Sequence, residues 1–303
     1  MKVISNIEEL KKTPVSRMSI GNFDGIHLGH QAIIKEVLKR NPSLIVTFDP
    51  HPRKVLSNNS LPGLLTSGEE KIDILEKLGV ENLFILKFSH QIAKMEPEAF
   101  VRWLIVDYIQ PDEVVIGYNH RFGYQAEGNF ELLVHMGVKY GFKVTRVAPV
   151  YVDGFPVSST RVRNMLLQGD MDKAIQLLGR PYSIYSHVIP GKRRGRSLAY
   201  PTANLELPRR KLLPKEGVYA VRVRHNGANL PGMLDIGDRP TFADSQGLGI
   251  EVHILDFNGN LIDHNLTVEF INYIRENYAF KRLEDLKNRL KDDERRVRSL
   301  LGG

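Results

Sequence analysis

Between Val15 and Val147 short apolar runs alternate with stretches of helical periodicity, and that alternation leaves few architectures open to the first half of the chain. Val15–Ile20 reads as a strand and Gly21–Gly25 as a turn, and in His30–Lys39 the residues Ile33, Ile34, Val37 and Leu38 fall at helical spacing. Leu44–Phe48, Leu83–Phe88, Glu113–Ile116 and Lys143–Val147 are further strands, separated by helical Lys71–Leu78, Pro97–Tyr108 and Phe130–Lys139. A strand reaches a parallel neighbour only through a crossover, so this rhythm predicts a parallel sheet with helices on both faces.

Near Leu178 the texture changes. Ser159–Leu167 and Met171–Leu178 read as two helices, the second stopped by Gly179-Arg180-Pro181. Beyond them lie β-rich runs split by Gly, Pro and Asn: Tyr182–Ile189, Gly217–Arg224, Asn229–Ile236, Ile250–Phe257 and Leu266–Ile274. Alternation in Val218–Val223 and Val252–Leu255 marks strands with one buried face, and the spacing predicts a small antiparallel β-barrel. Leu283, Leu286, Leu290, Val297 and Leu300 line one side of a closing helix. A chain of 303 residues accommodates two domains, expected at 1–181 and 182–303.

Composition narrows the functional classes. Hydrophobic residues at 42% and charged residues at 25% argue against disorder. The absence of cysteine excludes disulfides, thiolate metal sites and cysteine nucleophiles. Met1–Pro14 lacks the apolar core of a signal peptide, and no apolar run approaches the ~18 residues that span a bilayer. A cytoplasmic protein with no membrane partner is expected. The net charge of +7 suits anionic ligands, and between Lys192 and Arg224 ten Lys or Arg face only Glu206 and Glu216. On charge alone that segment reads as a solvated loop and strand edge ahead of a polyanion site.

The densest signal in the first half is Gly21-Asn22-Phe23-Asp24-Gly25-Ile26-His27-Leu28-Gly29-His30, between the first strand and its helix. Open α/β sheets take ligands at this place, where glycines permit close backbone approach and the helix start favours an anion. His27 and His30, three apart at a helix start, can both face one phosphate. No Gly-Lys-Ser/Thr comes after it, which excludes a Walker loop. In the second half, Gly191-Lys192-Arg193-Arg194-Gly195-Arg196 is a glycine-punctuated basic loop able to wrap polyphosphate. Pro201-Thr202-Ala203-Asn204 comes next; alone it is a turn, and beside that loop Thr202 and Asn204 are hard oxygen donors for Mg²⁺.

With His27-Leu28-Gly29-His30 the chain resembles the HxGH nucleotidyltransferases, whose domains are Rossmann-like. Thr47-Phe48-Asp49-Pro50-His51-Pro52, Phe122-Gly123 through Gly128, and Val157-Ser158-Ser159-Thr160-Arg161-Val162-Arg163 narrow the resemblance to the bacterial bifunctional riboflavin kinase/FAD synthetases. Pro201–Asn204, Gly217-Val218-Tyr219-Ala220, Arg239-Pro240-Thr241-Phe242 and Ile274-Arg275 with Phe280 extend it through the second half. The resemblance implies phosphorylation of riboflavin to FMN and adenylylation of FMN to FAD, each with Mg-ATP. It implies catalytic roles for His27, His30 and Arg163 in the second step and for Glu251 in the first. ATP contacts are expected at Gly21, Phe23, Asp24, Gly29, Ser158, Ser159, Thr160, Gly191, Lys192, Gly195 and Arg196. Flavin contacts are expected at Asp49, Pro50, His51, Asn119, Phe122 and Arg275, and magnesium at Thr202 and Asn204. Partners are then the small molecules riboflavin, FMN and ATP rather than nucleic acid, on a monomer or weak homo-oligomer.

The chain departs from that pattern in several places. His120 stands where the family has an aromatic residue, and Tyr124–Glu127 lacks a basic residue. Ala199 replaces a glycine, Asp235 an asparagine and Asp238 a threonine, and Asn260-Leu261-Ile262-Asp263 differs from the family's Asp-Leu-Tyr-Gly. Retention of only one activity, a cytidylyltransferase with another acceptor, and a nucleic-acid-binding protein are the competing readings.

Overall fold

The computed structural model describes residues 1–56, 63–190, 200–207, 210–238, 248–278, 280 and 282–302. It divides into two compact units, Met1–Ser159 and Thr160–Gly303.

In the first unit β1 (Lys2–Ile4), β2 (Arg17–Ile20), β3 (Ser43–Asp49), β4 (Asn82–Lys87), β5 (Glu113–Gly117) and β6 (Lys143–Val147) form a parallel sheet in the order β1-β4-β3-β2-β5-β6. Helices α1 (Leu28–Val37), α2 (Pro52–Leu56), α3 (Gly68–Lys77), α4 (His90–Ala93), α5 (Pro97–Phe100) and α6 (Phe130–Tyr140) connect the strands. Successive strand residues feed two separate cores. Leu44, Val46, Phe84, Val114 and Ile116 join Leu104, Ile105 and Leu133 in one core, and Ile45, Leu83 and Val115 join Ile34, Val37 and Leu75 in the other. Burial on both faces is why these strands read as continuous apolar runs.

The strand order places a switch point beside β2. From β2 the chain moves to β3 and outward, whereas β5 and β6 lie on the opposite side. The crevice beyond the carboxyl ends of β2 and β5 is therefore the expected ligand position.

Two local features differ from the expected elements. The helix expected over Pro97–Tyr108 is α5 running into a π-helix, Val101–Ile109, which ends at left-handed Gln110. The wider turn keeps Val101, Leu104, Ile105 and Ile109 buried, a distinction that apolar spacing does not encode. A hairpin of β7 (Tyr151–Val152) and β8 (Phe155–Pro156) was not expected, although its Asp153-Gly154 turn, both residues at positive φ, carries the usual signal.

The second unit contains α7 (Ser159–Gln168, begun by the last residue of the first unit) and α8 (Met171–Leu178). Left-handed Gly179 stops α8. Helices α7 and α8 group with the carboxyl-terminal half of the chain; the Lys215 amide, for example, donates to the Leu166 carbonyl at 2.9 Å.

Strands β9 (Tyr182–Ile189), β10 (Ala203–Leu205), β11 (Gly217–His225), β12 (Ala228–Asp238), β13 (Leu248–Ile254) and β14 (Asn265–Arg275) close an antiparallel barrel in the order β10-β13-β12-β11-β14-β9. Leu205, Val221, Leu234, Ile236 and Ile250 are wholly buried. On the other face Val218, Ala220, Met233 and Ile274 pack under the final helix, α9 (Leu283–Leu301). The apolar stripe expected on α9 is only partly used: Leu283 and Leu300 are exposed, and Val297 and Asp293 are the buried residues. No helix among the described residues is long and apolar enough to cross a membrane.

Candidate active sites

The Gly21–His27 loop joins β2 to α1 along a strained path. Phe23 and Ile26 take φ of 46° and 39°, values that β-branched Ile26 in particular resists. Both are buried, and the Asp24 carboxylate holds the loop from outside: its Oδ1 accepts the amides of Leu65 at 2.9 Å and Thr66 at 3.2 Å. Thr66 Oγ1 in turn accepts the Gly25 amide at 3.1 Å. Gly25, at φ 85°, would put a Cβ 2.8 Å from Leu65. Asp24, expected among the ATP contacts, thus clamps the loop with its carboxylate.

The two histidines lie where the loop becomes helix. His27 caps α1, its Nδ1 accepting the His30 amide at 3.3 Å, so the ring proton of neutral His27 sits on Nε2. The rings stack at 3.7 Å between centroids, and the edge of Phe23 meets His30 at 5.3 Å. A Cβ on Gly29 would lie 3.2 Å from the His27 ring, which explains the glycine between the histidines. The first turn of α1 carries no acidic residue, so its amides and dipole remain favourable to an anion.

The remaining expected residues of this half lie on several other segments. Within the first unit Ser159 Oγ donates to the Asp24 carbonyl at 2.9 Å. Ser158 precedes it, and Thr160 and buried Arg163 come after it on α7, with Arg163 one turn beyond Ser159. Asp49 ends β3 and is exposed, Pro50 and His51 come next, and His51 Nδ1 accepts the Arg53 amide at 3.2 Å. Asn119 lies in the loop after β5, and Phe122 exchanges backbone hydrogen bonds with Gly128. A Cβ on Gly128 would strike the Phe122 ring at 2.6 Å, so the two are a matched pair.

Sequence reading missed Lys71. From α3 its Nζ reaches the Asn22 carbonyl, just past the end of β2, at 2.8 Å and Thr47 Oγ1, near the end of β3, at 3.0 Å. Burial lowers its pKa to about 8, against the pull of Asp24 and Asp49. In sequence it stands in Glu69-Glu70-Lys71, indistinguishable from a solvated helix face.

In the barrel, strand register assembles the second site. Asn204, Glu251, Asp235, Val218 and Arg275 occupy one cross-strand row over β10, β13, β12, β11 and β14. Paired residues share a face, so the asparagine and both carboxylates lie together. Thr202 Oγ1 donates to Glu251 Oε2 at 3.0 Å. Thr202 and buried Asn204 also line a cavity of about 590 Å³ that reaches Val252, Ile254 and the Phe257–Ile262 loop. A hydroxyl, an amide oxygen and a neighbouring carboxylate make a donor set that fits Mg²⁺. Gly191, Lys192, Gly195, Arg196, Ala199 and Arg239–Phe242 lie outside the described residues.

Residues 9–161 match the family model described as FAD synthetase, and residues 178–301 the one described as riboflavin kinase. The bifunctional riboflavin kinase/FMN adenylyltransferase of Pseudomonas fluorescens is 39% identical over 287 residues, 93% of this chain and 92% of that protein. Its counterpart from Escherichia coli strain K12 is 35% identical over 310 residues, 100% of this chain and 98% of that one. The chain belongs to the bifunctional riboflavin kinase/FMN adenylyltransferase family. A solved structure described as a macrolide-efflux protein from Streptococcus pneumoniae has the same fold, with a TM-score of 0.87, 30% identity and 98% of both chains covered.

Three positions show how this member of the riboflavin kinase/FMN adenylyltransferase family is built. Arg275, expected at the flavin, has its guanidinium engaged elsewhere: Nε and one terminal nitrogen bind Asp293 of α9, and the other terminal nitrogen binds the Glu276 carbonyl. It docks the helix. Asp235 keeps access to solvent but has protein on most sides, and this crowding, opposed by Asn277 and reinforced by Glu251, raises its carboxyl to about 6. His120 stacks on Phe122 at 5.8 Å, and its Nε2 is buried without a hydrogen-bond partner among the described residues. Burial lowers its pKa to about 4, so the ring is neutral at pH 7.

Proposed function

We infer that this chain carries both activities of its family, phosphorylating riboflavin to FMN and adenylylating FMN to FAD. The kinase step is assigned to 182–303 and the adenylyl transfer to 1–181. The stacked His27–His30 pair at the start of α1 carries the second assignment, because it presents two imidazoles where the sheet takes ligands.

For adenylyl transfer, an FMN phosphate oxygen attacks the α-phosphorus of ATP. The α-phosphorus–oxygen bond to the β-phosphate breaks, and pyrophosphate leaves. His27 and His30 hydrogen-bond the oxygens on which charge grows, and Arg163 holds the β- and γ-phosphates. Gly21, Phe23 and Gly29 shape the phosphate loop, and Ser158, Ser159 and Thr160 supply hydroxyls at the start of α7. Asp49, Pro50, His51, Asn119 and Phe122 form the flavin side.

For the kinase step, Glu251 accepts the proton of the terminal ribityl hydroxyl as its oxygen attacks the γ-phosphorus, and ADP departs. Thr202 and Asn204 would hold Mg²⁺, which neutralises phosphate charge when bound. The basic segment 191–196 is assigned to ATP by family resemblance. The protein is assigned to the cytoplasm as a monomer or weak homo-oligomer.

The test separates flavins by chromatography after incubation with Mg-ATP and either riboflavin or FMN. FMN from the first and FAD from the second support the reading. Formation of only one product would reduce the other half to a binding module, and formation of neither would reject the substrate assignment.

A further inference from the structure

The Lys71 side chain is half-buried, and its ammonium sits among neutral oxygens. It has three N–H donors, of which one goes to the Asn22 carbonyl and one to Thr47 Oγ1. Among the described residues no carboxylate forms an ion pair with it. The charged groups whose field reaches it are Asp24 and Asp49; Asp24 is occupied with Leu65 and Thr66, and Asp49 is exposed at the end of β3. A partly desolvated cation without a counter-ion is costly. A neutral side chain would satisfy the fold at less cost, so the lysine needs another explanation.

Its position supplies one. Asn22 lies in the loop that leads to His27 and His30, and Thr47 lies on the neighbouring strand, so Nζ bridges two strand ends at the ligand edge of the sheet. Beside it, Oδ1 of Asn22 is likewise buried without a hydrogen-bond partner among the described residues. Polar groups left this way call for a partner, and at the ligand edge of a sheet a bound molecule can supply it.

We propose that Lys71 is a further substrate-binding residue of the adenylyltransferase unit, its remaining N–H and its charge held for a phosphate oxygen of FMN or ATP. The inference rests on the adenylyltransferase reading and adds to it a residue from α3, outside every motif recognised in the sequence. An arriving phosphate becomes the missing counter-ion and favours the protonated amine. Binding near pH 8, where the free enzyme's lysine is partly neutral, therefore draws a proton from solution.

Calorimetry on the full-length protein at pH 8, in two buffers of different ionisation enthalpy, reads that proton directly. One arm titrates FMN and the other α,β-methylene-ATP, so the arm with uptake identifies the phosphate. The wild type is expected to take up about half a proton more than K71R, since arginine stays charged throughout; FMN bound in the kinase unit is common to both proteins and cancels. In steady-state assays K71M is expected to raise the KM for that substrate roughly ten- to a hundredfold in FAD formation, with FMN formation from riboflavin unchanged. Equal proton uptake in wild type and K71R, or FAD formation by K71M with KM values within about twofold of wild type, overturns the proposal. Failure of the wild type itself to form FAD would instead overturn the adenylyltransferase reading beneath it.

Discussion

Removing Asp293 tests how the kinase site depends on the final helix. Arg275 Nε lies 3.1 and 2.9 Å from the two Asp293 oxygens, and its terminal nitrogen 2.7 Å from Oδ2. The side chains are 8% and 3% exposed. Arg289, at 3.7 Å, is a second cation facing the same carboxylate. Asp293→Ala leaves a guanidinium buried under α9 without its counter-ion, which costs about 3–5 kcal/mol. Replacing both partners, as Arg275→Met with Asp293→Leu, removes the charge along with its partner and should come within about 1 kcal/mol of wild type. The cycle therefore predicts strong coupling, read from urea unfolding of the four proteins with kinase activity reporting the barrel's transition. Because Arg275 shares its strand row with Asp235 and Glu251, FMN formation should fall in Asp293→Ala while FAD formation from supplied FMN persists. Additive costs, with coupling below about 0.5 kcal/mol, would refute the reasoning. So would an equal loss of both activities.

Other substitutions separate the two sites and their charges. His30→Ala should lower FAD formation by roughly 10²–10³ and leave FMN formation intact, and Glu251→Gln should do the reverse; product chromatography distinguishes them. His120→Phe removes a half-buried imidazole whose folded pKa, about 4, lies below its unfolded value. The native state binds fewer protons between pH 4 and 6.5, so wild-type stability falls as pH drops through that window, and thermal melts of the variant should lose this slope. Asp235→Asn removes a carboxyl whose folded pKa is raised to about 6 from 3.8; its penalty grows between those values and is complete above pH 6. The variant's gain in melting temperature should therefore be larger at pH 7 than at pH 4. For Lys71, lowered from 10.5 to about 8, the penalty is complete below pH 8 and fades toward 10.5. Lys71→Met should accordingly be no less stable than wild type at pH 7 while binding substrate worse, an outcome that a merely structural lysine would not produce.

The fold was legible wherever burial leaves a periodic mark. Ser43–Asp49 and Asn82–Lys87 are apolar on both faces and announced a covered parallel sheet, whereas the single buried face expected of Val218–Val223 is two, because α9 covers Val218 and Ala220 on the side away from the barrel interior. Helix type left no such mark: Val101, Leu104, Ile105 and Ile109 suit an α- or a π-helix equally. The stripe on α9 misled because its ends are solvated and an ion pair takes over part of the docking that leucines were expected to perform. Nothing in the local sequence of Asp293 says that it meets Arg275, eighteen residues earlier.

The candidate sites divide along the same line. His27, Gly29 and His30 were readable because their geometry is local: the histidine caps the helix that bears its partner, and the glycine between them admits the folded-back ring. Thr202 and Asn204 were legible as oxygen donors beside a basic loop, but Glu251 only through resemblance, since a strand register, not sequence proximity, sets Asn204 opposite Glu251. Lys71 and Asp235 show what this leaves out. Each is an ordinary charged residue in sequence, and each becomes unusual because distant elements surround it: Asn22 and Thr47 around the lysine, Glu251 and Asn277 around the aspartate. Both shifts disfavour the charged form at neutral pH, and in both units they occur where phosphate or magnesium has been assigned. A substrate anion would complete the environment of Lys71 and a cation that of Asp235, so each unit holds a charge that its ligand can stabilise. If that is their common basis, saturating ligand should shrink the stability gain of Lys71→Met and of Asp235→Asn alike, because ligand supplies to the wild type what substitution removes the need for.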